Sequence, residues 1–445
     1  MELNMNAHLL SDRELLRFIT HGYHLIKLKD VPEVHKEVCR QTARAFDRGN
    51  PFDRIWNAAP AMRDVFEHPI PRGALASLLG PDYTMYSHRH CHLSPSGHDG
   101  GKNHQDGTER NFAGWHRPWR RHFRARTVMA IYYPHKVSIE NGPTGVIPGS
   151  QYVHALTDAD EDREVPVCGK AGTIALVHFD IWHRATANIS DQDRVMMKFL
   201  FKRTSEPAGP TWQADASCNP DFRPIDQLPY MPLVWEDMWR WHKNTPWTVL
   251  DYDMNRADLT KRLFEDMAAQ NEIAAVNAAY TLGCLGLTSV SDLIDILNDA
   301  PQTIRERIPV ALSAAGAAAI EPLTRSLYHA DPWVRASAAD TLGDIGIASA
   351  EALPALRKSL QDKDPWVRHN AAETLGIWGR AAMPSRDDLI AVLSDEEPFV
   401  RFNALTALYN LSPENLPSIS DLEPVLQDPN ARVRHHANEL MEPAA

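Results

Sequence analysis

The spacing of apolar residues changes along the chain and predicts an all-β region with helices in front of it. The segments SDRELLRFIT (11–20) and PEVHKEVCRQTARAFDRG (32–49) carry apolar residues at helical spacing, and Ser11 is a candidate N-cap. Turn residues then separate short apolar runs that predict strands, without the alternating helices of a parallel sheet, so a sandwich or barrel is favoured. These runs are 83–93, 127–134, 142–150, 173–179 and 194–203.

The second half of the chain repeats with a period of 33 residues. DPWVRASAADTLGDIG (331–346), DPWVRHNAAETLGIWG (364–379) and EPFVRFNALTALYNLS (397–412) align without gaps. A period of this size predicts a solenoid of stacked helical units. Asp331 and Asp364 each precede a proline and are expected to cap a helix. We expect the arginine of each repeat to reach acidic groups of a neighbouring repeat.

These patterns predict three segments. Residues 1–205 form the strand-rich domain, residues 206–254 a connector rich in proline and tryptophan, and residues 255–445 the all-α solenoid. Solenoids present extended concave surfaces for binding, so a protein partner on the solenoid is expected.

Charge and apolar content narrow the classes of partner. Residues 251–445 carry 16 Lys and Arg against 29 Asp and Glu, a net charge of −13, whereas the whole chain carries −12. This acidity argues against nucleic acid or an anionic membrane as the partner of the solenoid. No apolar run approaches the roughly 18–20 residues of a membrane span.

The N-terminal sequence and the cysteines predict the compartment. The acidic start MELNMNAHLLSDRELL is unlike a signal peptide, so a cytoplasmic location is predicted. The five cysteines are scattered and form no CxxC pair, which predicts reduced thiols and neither a disulfide framework nor a cysteine zinc site.

The segment KNHQDG (102–107) carries the candidate chemistry of the first domain. On a strand, alternate residues share a face, so His104 and Asp106 would point to one spot and Gln105 away from it. Because an aspartate is a poor core residue unless it is paired or coordinating, the pair favours a metal site. A His-x-Asp pair is common by chance, so this segment alone does not define that site.

A third ligand must come from another strand, and HFDIWHRATANISDQDR (178–194) offers His178 or His183. Two histidines and one carboxylate, with three open positions, suit non-haem Fe(II). The open positions could accept a bidentate 2-oxoacid and O₂. A basic residue past the distal histidine, such as Arg194, could then hold the far carboxylate of that acid.

Taken together, HQD, NGPTGVIPGSQ (141–151) and WHRATANISDQDR (182–194) resemble the phytanoyl-CoA dioxygenase family of Fe(II)/2-oxoglutarate oxygenases over residues 1–205. Asn188 and Arg194 follow His183 by five and eleven residues, as in that family, which favours His183 over His178. The sequence departs from the family at Gln151, where PGSH is usual. The repeats of the second half resemble short HEAT-like units.

The resemblance implies a double-stranded β-helix of the jelly-roll or cupin type with flanking helices, followed by an all-α HEAT-like solenoid. It implies that His104, Asp106 and His183 hold Fe(II), and that Arg194 and Gln105 contact 2-oxoglutarate. The implied activity is a dioxygenase that uses Fe(II), 2-oxoglutarate and O₂ to hydroxylate an unactivated C–H bond of a small molecule, with release of succinate and CO₂. The alternatives are a catalytically idle barrel in a HEAT-repeat scaffold and, third, a cupin-like zinc hydrolase.

Two basic clusters near HQD leave further roles open. His88, His90 and His92 alternate on one strand face, where they predict either a polar row at the barrel mouth or contacts to substrate or cosubstrate. The arginines of RPWRRHFRAR (117–126) are either a solvated loop or a lid for an anionic substrate. The sequence does not choose between these alternatives.

Overall fold

The computed structural model describes residues 8–106, 123–153, 155–225, 227–245, 256–285, 287–299, 302–412 and 416–441. Its described residues fall into two compact units. The first contains residues up to 203 and residues 207–244, and the second contains residues 204–206, residue 245 and those from 256 onward. The predicted boundaries at residues 205 and 254 stay predictions.

The two helices predicted from the sequence are present at the start of the first unit as α1 (Asp12–His21) and α2 (Pro32–Phe46), and further short helices follow them. The described ones are α3 (Ile55–Ala58), α4 (Met62–Phe66), α5 (Pro69–Leu79), α6 (Asp158–Glu161) and α7 (Pro232–Lys243), with short 3₁₀ turns at Phe52–Arg54 and Ser150–Tyr152. The Ser11 hydroxyl accepts a hydrogen bond from the backbone N–H of Glu14, whose carboxylate returns to Ser11. This capping box confirms the predicted start of α1.

The strands form two antiparallel sheets. They are β1 (Tyr23–Lys27), β2 (Thr84–Ser94), β3 (Thr127–Tyr133), β4 (Thr144–Val146), β5 (Val165–Pro166), β6 (Thr173–His178), β7 (His183–Ala185) and β8 (Arg194–Lys202). The larger sheet has the order β1-β6-β3-β8-β2, and the smaller has the order β5-β4-β7. All five strand runs expected from the sequence are present, and the two sheets form the expected double-stranded β-helix. The short strands β1 and β5 were not expected, whereas β7 lies in the run 178–194 that was expected to carry the third ligand on a strand.

An apolar cluster lies between the two sheets. Its residues come from both sheets, with Met129, Ile131 and Leu200 from the larger sheet and Val146 from the smaller one. The opposite face of the larger sheet packs on helices, where the rings of Phe66 and Phe199 lie 4.8 Å apart. Burial on both faces explains why β3, β6 and β8 read as continuous apolar runs.

The second unit consists of helices. They are α8 (Arg256–Met267), α9 (Glu272–Cys284), α10 (Leu287–Asp299), α11 (Gln302–Arg305), α12 (Ile308–Ala315), α13 (Ala317–Ser326), α14 (Pro332–Ile345), α15 (Leu353–Ser359), α16 (Pro365–Trp378), α17 (Arg386–Val392), α18 (Pro398–Leu411), α19 (Ile419–Leu426) and α20 (Ala431–Met441), with 3₁₀ turns at Gly346–Ala352 and Gly379–Ser385. As predicted, Asp331 and Asp364 cap α14 and α16 by accepting backbone N–H groups at the start of each helix.

In each of three repeats of the solenoid, the arginine near the start forms a buried ion pair with an aspartate 27 residues later, near the end of the same repeat. Arg335 pairs with Asp362 at 2.7 Å, and Arg401 pairs with Asp428 at 2.6 Å. Arg368 uses Nε and Nη2 to reach both carboxylate oxygens of Asp395, at 2.6 and 2.9 Å. We call these pairs the arginine ladder. The expectation that each arginine reaches acidic groups of a neighbouring repeat is wrong for these pairs, because a separation of 27 residues is shorter than the period of 33. The arginine contacts the preceding repeat through a backbone carbonyl instead, as when Nη1 of Arg335 donates to the carbonyl of His329.

Two further expectations concern the cysteines and the membrane. All five cysteines are free thiols, as predicted. Among the described residues, no helix combines the length and the apolar character that crossing a membrane requires.

Candidate metal centre

A pair of backbone hydrogen bonds places His104 against the start of β7. The N–H of each residue donates to the carbonyl of the other, His104 to His183 and His183 to His104, both at 3.0 Å. The HQD segment was expected on a strand, but it makes only this isolated antiparallel bridge. The bridge nevertheless brings the two imidazole rings to a centroid separation of 4.5 Å.

The outer nitrogen of each ring is held by the main chain. Nδ1 of His104 lies 3.0 Å from the carbonyl of Lys102, and Nδ1 of His183 lies 3.0 Å from the carbonyl of Ile181. A carbonyl can only accept, so each Nδ1 carries the proton. In the neutral form of either ring the lone pair is therefore on Nε2, on the side of the other ligands, as a metal ligand requires.

The carboxylate of Asp106 completes the group. Its two oxygens lie 3.9 Å from Nε2 of His104 and 3.8 Å from Nε2 of His183. One ligand atom from each of the three residues lies within 4.8 Å of the others, so the group could hold a metal ion. The side chains of Asp106 and His183 are buried, and that of His104 is about half exposed.

Burial and charge set the protonation of the buried ligands. Burial raises the pKa of Asp106, but the ammonium of Lys198 opposes it and brings the value to about 2. Burial lowers the pKa of His183 and outweighs the opposing effect of Asp106. An ionised carboxylate beside a neutral imidazole is the protonation state in which these residues coordinate a metal.

Arg194 begins β8 and is almost fully buried, with 1% of its surface exposed. Its Nε and Nη2 donate to the carbonyl of Gly142, at 3.0 and 2.7 Å. Nη1 makes no hydrogen bond with the described residues. The NGP segment therefore has a role that the sequence did not reveal, since its glycine carbonyl fixes the arginine fork.

Gly142 can do this because it lacks a side chain. Its φ is +65°, and an added Cβ would lie 2.8 Å from the backbone nitrogen of Asn188 and from the carbonyl of Thr186. The side chain of Asn188 donates to the carbonyls of Ser94 and Gln192, both at 2.9 Å. Asn188 thus holds the loop that carries the chain from His183 to Arg194.

Two other candidate residues lie apart from the metal group. Nε2 of His178 lies 3.2 Å from the carbonyl of Phe123, and His178 does not belong to the metal-binding group among the described residues. Gln105 points away from the group, as expected from strand alternation, and its amide nitrogen donates to the carbonyl of Asp180. Contact of Gln105 with a cosubstrate stays a prediction.

A row of polar side chains follows the inner face of β2 and β8. His90 pairs in register with Lys198, and His92 pairs with Met196, so these residues share the face that carries Arg194. The Nζ of Lys198 lies 3.1 Å from a carboxylate oxygen of Asp106. Lys198 was not among the residues expected at the site, although its position four residues after Arg194 on a strand placed it on the same face.

The other basic residues near HQD are only partly described. Arg117, Arg120 and Arg121 of the expected lid, and the side chain of His88, lie outside the described residues. Arg124 and Arg126 lie near the ring of Trp241, at 6.0 and 5.6 Å from its centroid.

Residues of both units match known protein families. Residues 28–196 match the family Phytanoyl-CoA dioxygenase (PhyH), and residues 320–383 and 360–442 match HEAT repeats. The matched range contains the three candidate ligands and Arg194. Phytanoyl-CoA dioxygenase domain-containing protein 1 of Bos taurus is 29% identical over 91 residues, which are 20% of this chain and 29% of that protein. The resemblance predicted from the sequence is confirmed.

Solved structures with low sequence identity are also similar. EctD from S. alaskensis with 2-oxoglutarate and 5-hydroxyectoine is 18% identical, covers 49% of this chain and 87% of its own, and has a TM-score of 0.37. The non-heme alpha ketoglutarate dependent carbocyclase SnoK from nogalamycin biosynthesis is 19% identical, covers 45% and 87% of the two chains, and has a TM-score of 0.36.

Proposed function

We propose that this chain, a phytanoyl-CoA dioxygenase domain followed by HEAT repeats, is an Fe(II)- and 2-oxoglutarate-dependent dioxygenase. The proposed reaction converts 2-oxoglutarate, O₂ and a small molecule R–H to succinate, CO₂ and R–OH. The observation that carries the proposal is the convergence of one carboxylate and two imidazoles within 4.8 Å. Two histidines and one carboxylate are the donor set of non-haem Fe(II) oxygenases.

The residues of the site would have distinct roles in binding the metal and 2-oxoglutarate. His104 and His183 would offer Nε2 to the metal, and Asp106 would offer one oxygen and a negative charge. Arg194 would bind the far carboxylate of 2-oxoglutarate through Nη1, while Gly142 keeps the guanidinium in place. Fe(II), when bound there, would supply the activation of O₂ and the oxidation of 2-oxoglutarate.

Burial of the site serves the proposed reaction. Asp106 and His183 are buried, and the inner face beside them is lined by apolar residues such as Ile131 and Leu200. A site with little water strengthens the electrostatic contacts to the cosubstrate and limits side reactions of reactive species.

A spectroscopic experiment tests the proposal without knowledge of the substrate. Anaerobic addition of Fe(II) and 2-oxoglutarate to the purified chain is expected to produce a weak visible charge-transfer band. His104→Ala and Asp106→Ala should each abolish the band, and His98→Ala, which removes an exposed histidine of the preceding loop, should keep it. A band of normal intensity in both ligand variants contradicts the assignment of the metal site.

Succinate release separates the enzyme from the idle-barrel alternative. The wild-type chain should release succinate in air with Fe(II) and 2-oxoglutarate, slowly alone and faster with a substrate. No succinate with any member of a broad substrate panel favours a scaffold whose HEAT repeats bind a protein partner. The cytoplasmic location stays a prediction, which fractionation of cells that express the tagged chain would test.

A further inference from the structure

We propose that Lys198, together with His92, binds a carboxylate of the substrate beside the metal group, so that the substrate is an organic monoanion. This inference rests on the proposed oxygenase function and names the substrate class of that same site.

The position of Lys198 is unusual for a charged residue. It lies in the middle of β8, opposite His90 of β2 and Ile131 of β3, and 8% of its surface is exposed. Its neighbours on the same face of the strand are Met196 and Leu200, which belong to the apolar cluster between the sheets. A buried ammonium without partners is costly, so each of its N–H groups needs an acceptor.

The described residues satisfy Lys198 only in part. The Nζ donates to one carboxylate oxygen of Asp106, at 3.1 Å, and to no other acceptor among the described residues. An ammonium has three N–H groups, so two are left for a ligand. A bound metal ion would also interact with the negative charge of Asp106. The positive charge of Lys198 would then be compensated less than in the metal-free chain.

His92 provides a second donor on the same face. It pairs with Met196, so it lies diagonally opposite Lys198 at a distance of about 5–8 Å between Cβ atoms. Its Nε2 is buried and has no hydrogen-bond partner among the described residues. Burial, assisted by the charge of Lys198, lowers the pKa of His92 to about 3, so the ring is neutral and can donate one N–H to an anion.

The charges around His92 favour one further negative charge. The side chains whose charges act on this ring are Lys198, His90, Asp106 and Arg194. His90 has its own carboxylate partner, Asp53, at 3.1 Å. The other three, Lys198, Arg194 and Asp106, sum to one positive charge. Fe(II) adds two positive charges, and 2-oxoglutarate adds two negative charges. One positive charge then remains in a largely buried site, and a monoanionic substrate would neutralise it.

A purely structural role for Lys198 is the competing explanation. In that case the lysine would only compensate Asp106, and charged and uncharged ligands would bind alike. The two roles differ in what they predict for small carboxylates, which allows a binding experiment without turnover.

The test measures the midpoint of thermal unfolding of the chain with Zn(II) and 2-oxoglutarate, titrated with butyrate, hexanoate or octanoate. Butanol, hexanol and octanol are the uncharged counterparts. Because a ligand of the folded state raises the midpoint, each titration gives an apparent Kd. We expect the wild-type chain to bind a carboxylate about tenfold or more tightly than the matching alcohol.

The variants assign that preference to a residue. Lys198→Met should remove the preference, and Lys198→Arg, which keeps the charge, should retain it. Lys202→Met removes a lysine from the end of the same strand, about 13 Å away, and should also retain it. Lys198→Met should still show the rise in midpoint that Zn(II) and 2-oxoglutarate cause.

The outcomes separate this inference from the proposed function. No rise with Zn(II) and 2-oxoglutarate in the wild-type chain overturns the proposed function and this inference with it. A normal rise with equal binding of carboxylates and alcohols overturns this inference alone. It is also overturned if Lys198→Met keeps the preference, or if that variant weakens 2-oxoglutarate binding tenfold, which would make Lys198 a cosubstrate contact.

Discussion

Replacement of Arg194 by lysine tests whether the arginine fork, and not only its charge, holds 2-oxoglutarate. The guanidinium donates twice to the carbonyl of Gly142, through Nε and Nη2, and still has Nη1 for a ligand. A lysine is shorter and ends in a single ammonium. It cannot hold the carbonyl of Gly142 and reach the cosubstrate with the same geometry.

The expected magnitude follows from the number of charged hydrogen bonds lost. Each is worth about 1.5–3 kcal/mol, so losing one bond to the cosubstrate should raise the Kd for 2-oxoglutarate about 10- to 150-fold. Losing one bond to the buried carbonyl of Gly142 should lower the free energy of unfolding by about 1–3 kcal/mol. Both effects are expected because Arg194 has 1% of its surface exposed.

Two measurements on Arg194→Lys check these numbers. Anaerobic titration with 2-oxoglutarate, followed by the charge-transfer band, gives the Kd, and urea unfolding gives the stability. Arg184→Lys is the matched control, because Arg184 also donates through Nε and Nη2, to Glu164, but is 37% exposed. An exposed pair contributes only about 0–1 kcal/mol, so the control should change neither quantity much. An Arg194→Lys variant that loses stability but keeps the wild-type Kd would refute the proposed contact of Arg194 with 2-oxoglutarate.

Three further predictions concern stability. Gly142→Ala forces a Cβ to 2.8 Å from the backbone of Asn188 at a φ of +65°, so urea unfolding should show a loss of about 1–3 kcal/mol, and an unchanged stability would contradict this account. Arg368→Met leaves the buried carboxylate of Asp395 unpaired and should lower the free energy of unfolding by about 3–5 kcal/mol, part of which Asp395→Asn should restore. Calorimetry of the unfolding transition of the solenoid measures this loss. A loss below about 1 kcal/mol would contradict a stabilising role of the arginine ladder. The pKa of Asp106 is lowered from 3.8 to about 2 in the metal-free chain. The ionised carboxylate therefore adds about 2 kcal/mol to the free energy of unfolding above pH ~4, and this stabilisation is lost as the pH falls towards ~2. Asp106→Asn should lack that part of the acid destabilisation in urea unfolding at several pH values.

The sequence by itself determined the two kinds of architecture and most of the elements. Apolar runs bounded by turn residues marked β2, β3, β4, β6 and β8, and a period of 33 residues marked the solenoid. These features depend on local spacing, which burial imposes on every strand and helix, so they can be read without knowledge of contacts. The short strands β1 and β5 were not predicted, because five and two residues carry too little periodicity.

The candidate ligands were also predicted from the sequence. That prediction used the spacing of motifs in a known family and no information on which residues lie close together in the fold. Strand alternation correctly turned Gln105 away from the spot shared by His104 and Asp106. It could not decide between His178 and His183, because the choice depends on which strand lies beside the HQD segment.

Only the tertiary structure decided which distant groups meet at the site. The backbone bridge that joins His104 to His183, the carbonyl of Gly142 that fixes Arg194 and the approach of Lys198 to Asp106 all join residues that are far apart in the chain. Hydrogen bonds and ion pairs depend on distances of about 3 Å, which only the folded chain sets. The strand face of Lys198 could be predicted from its position in the run MMKFLF. Its contact with Asp106, and the substrate class inferred from it, depend on the folded structure.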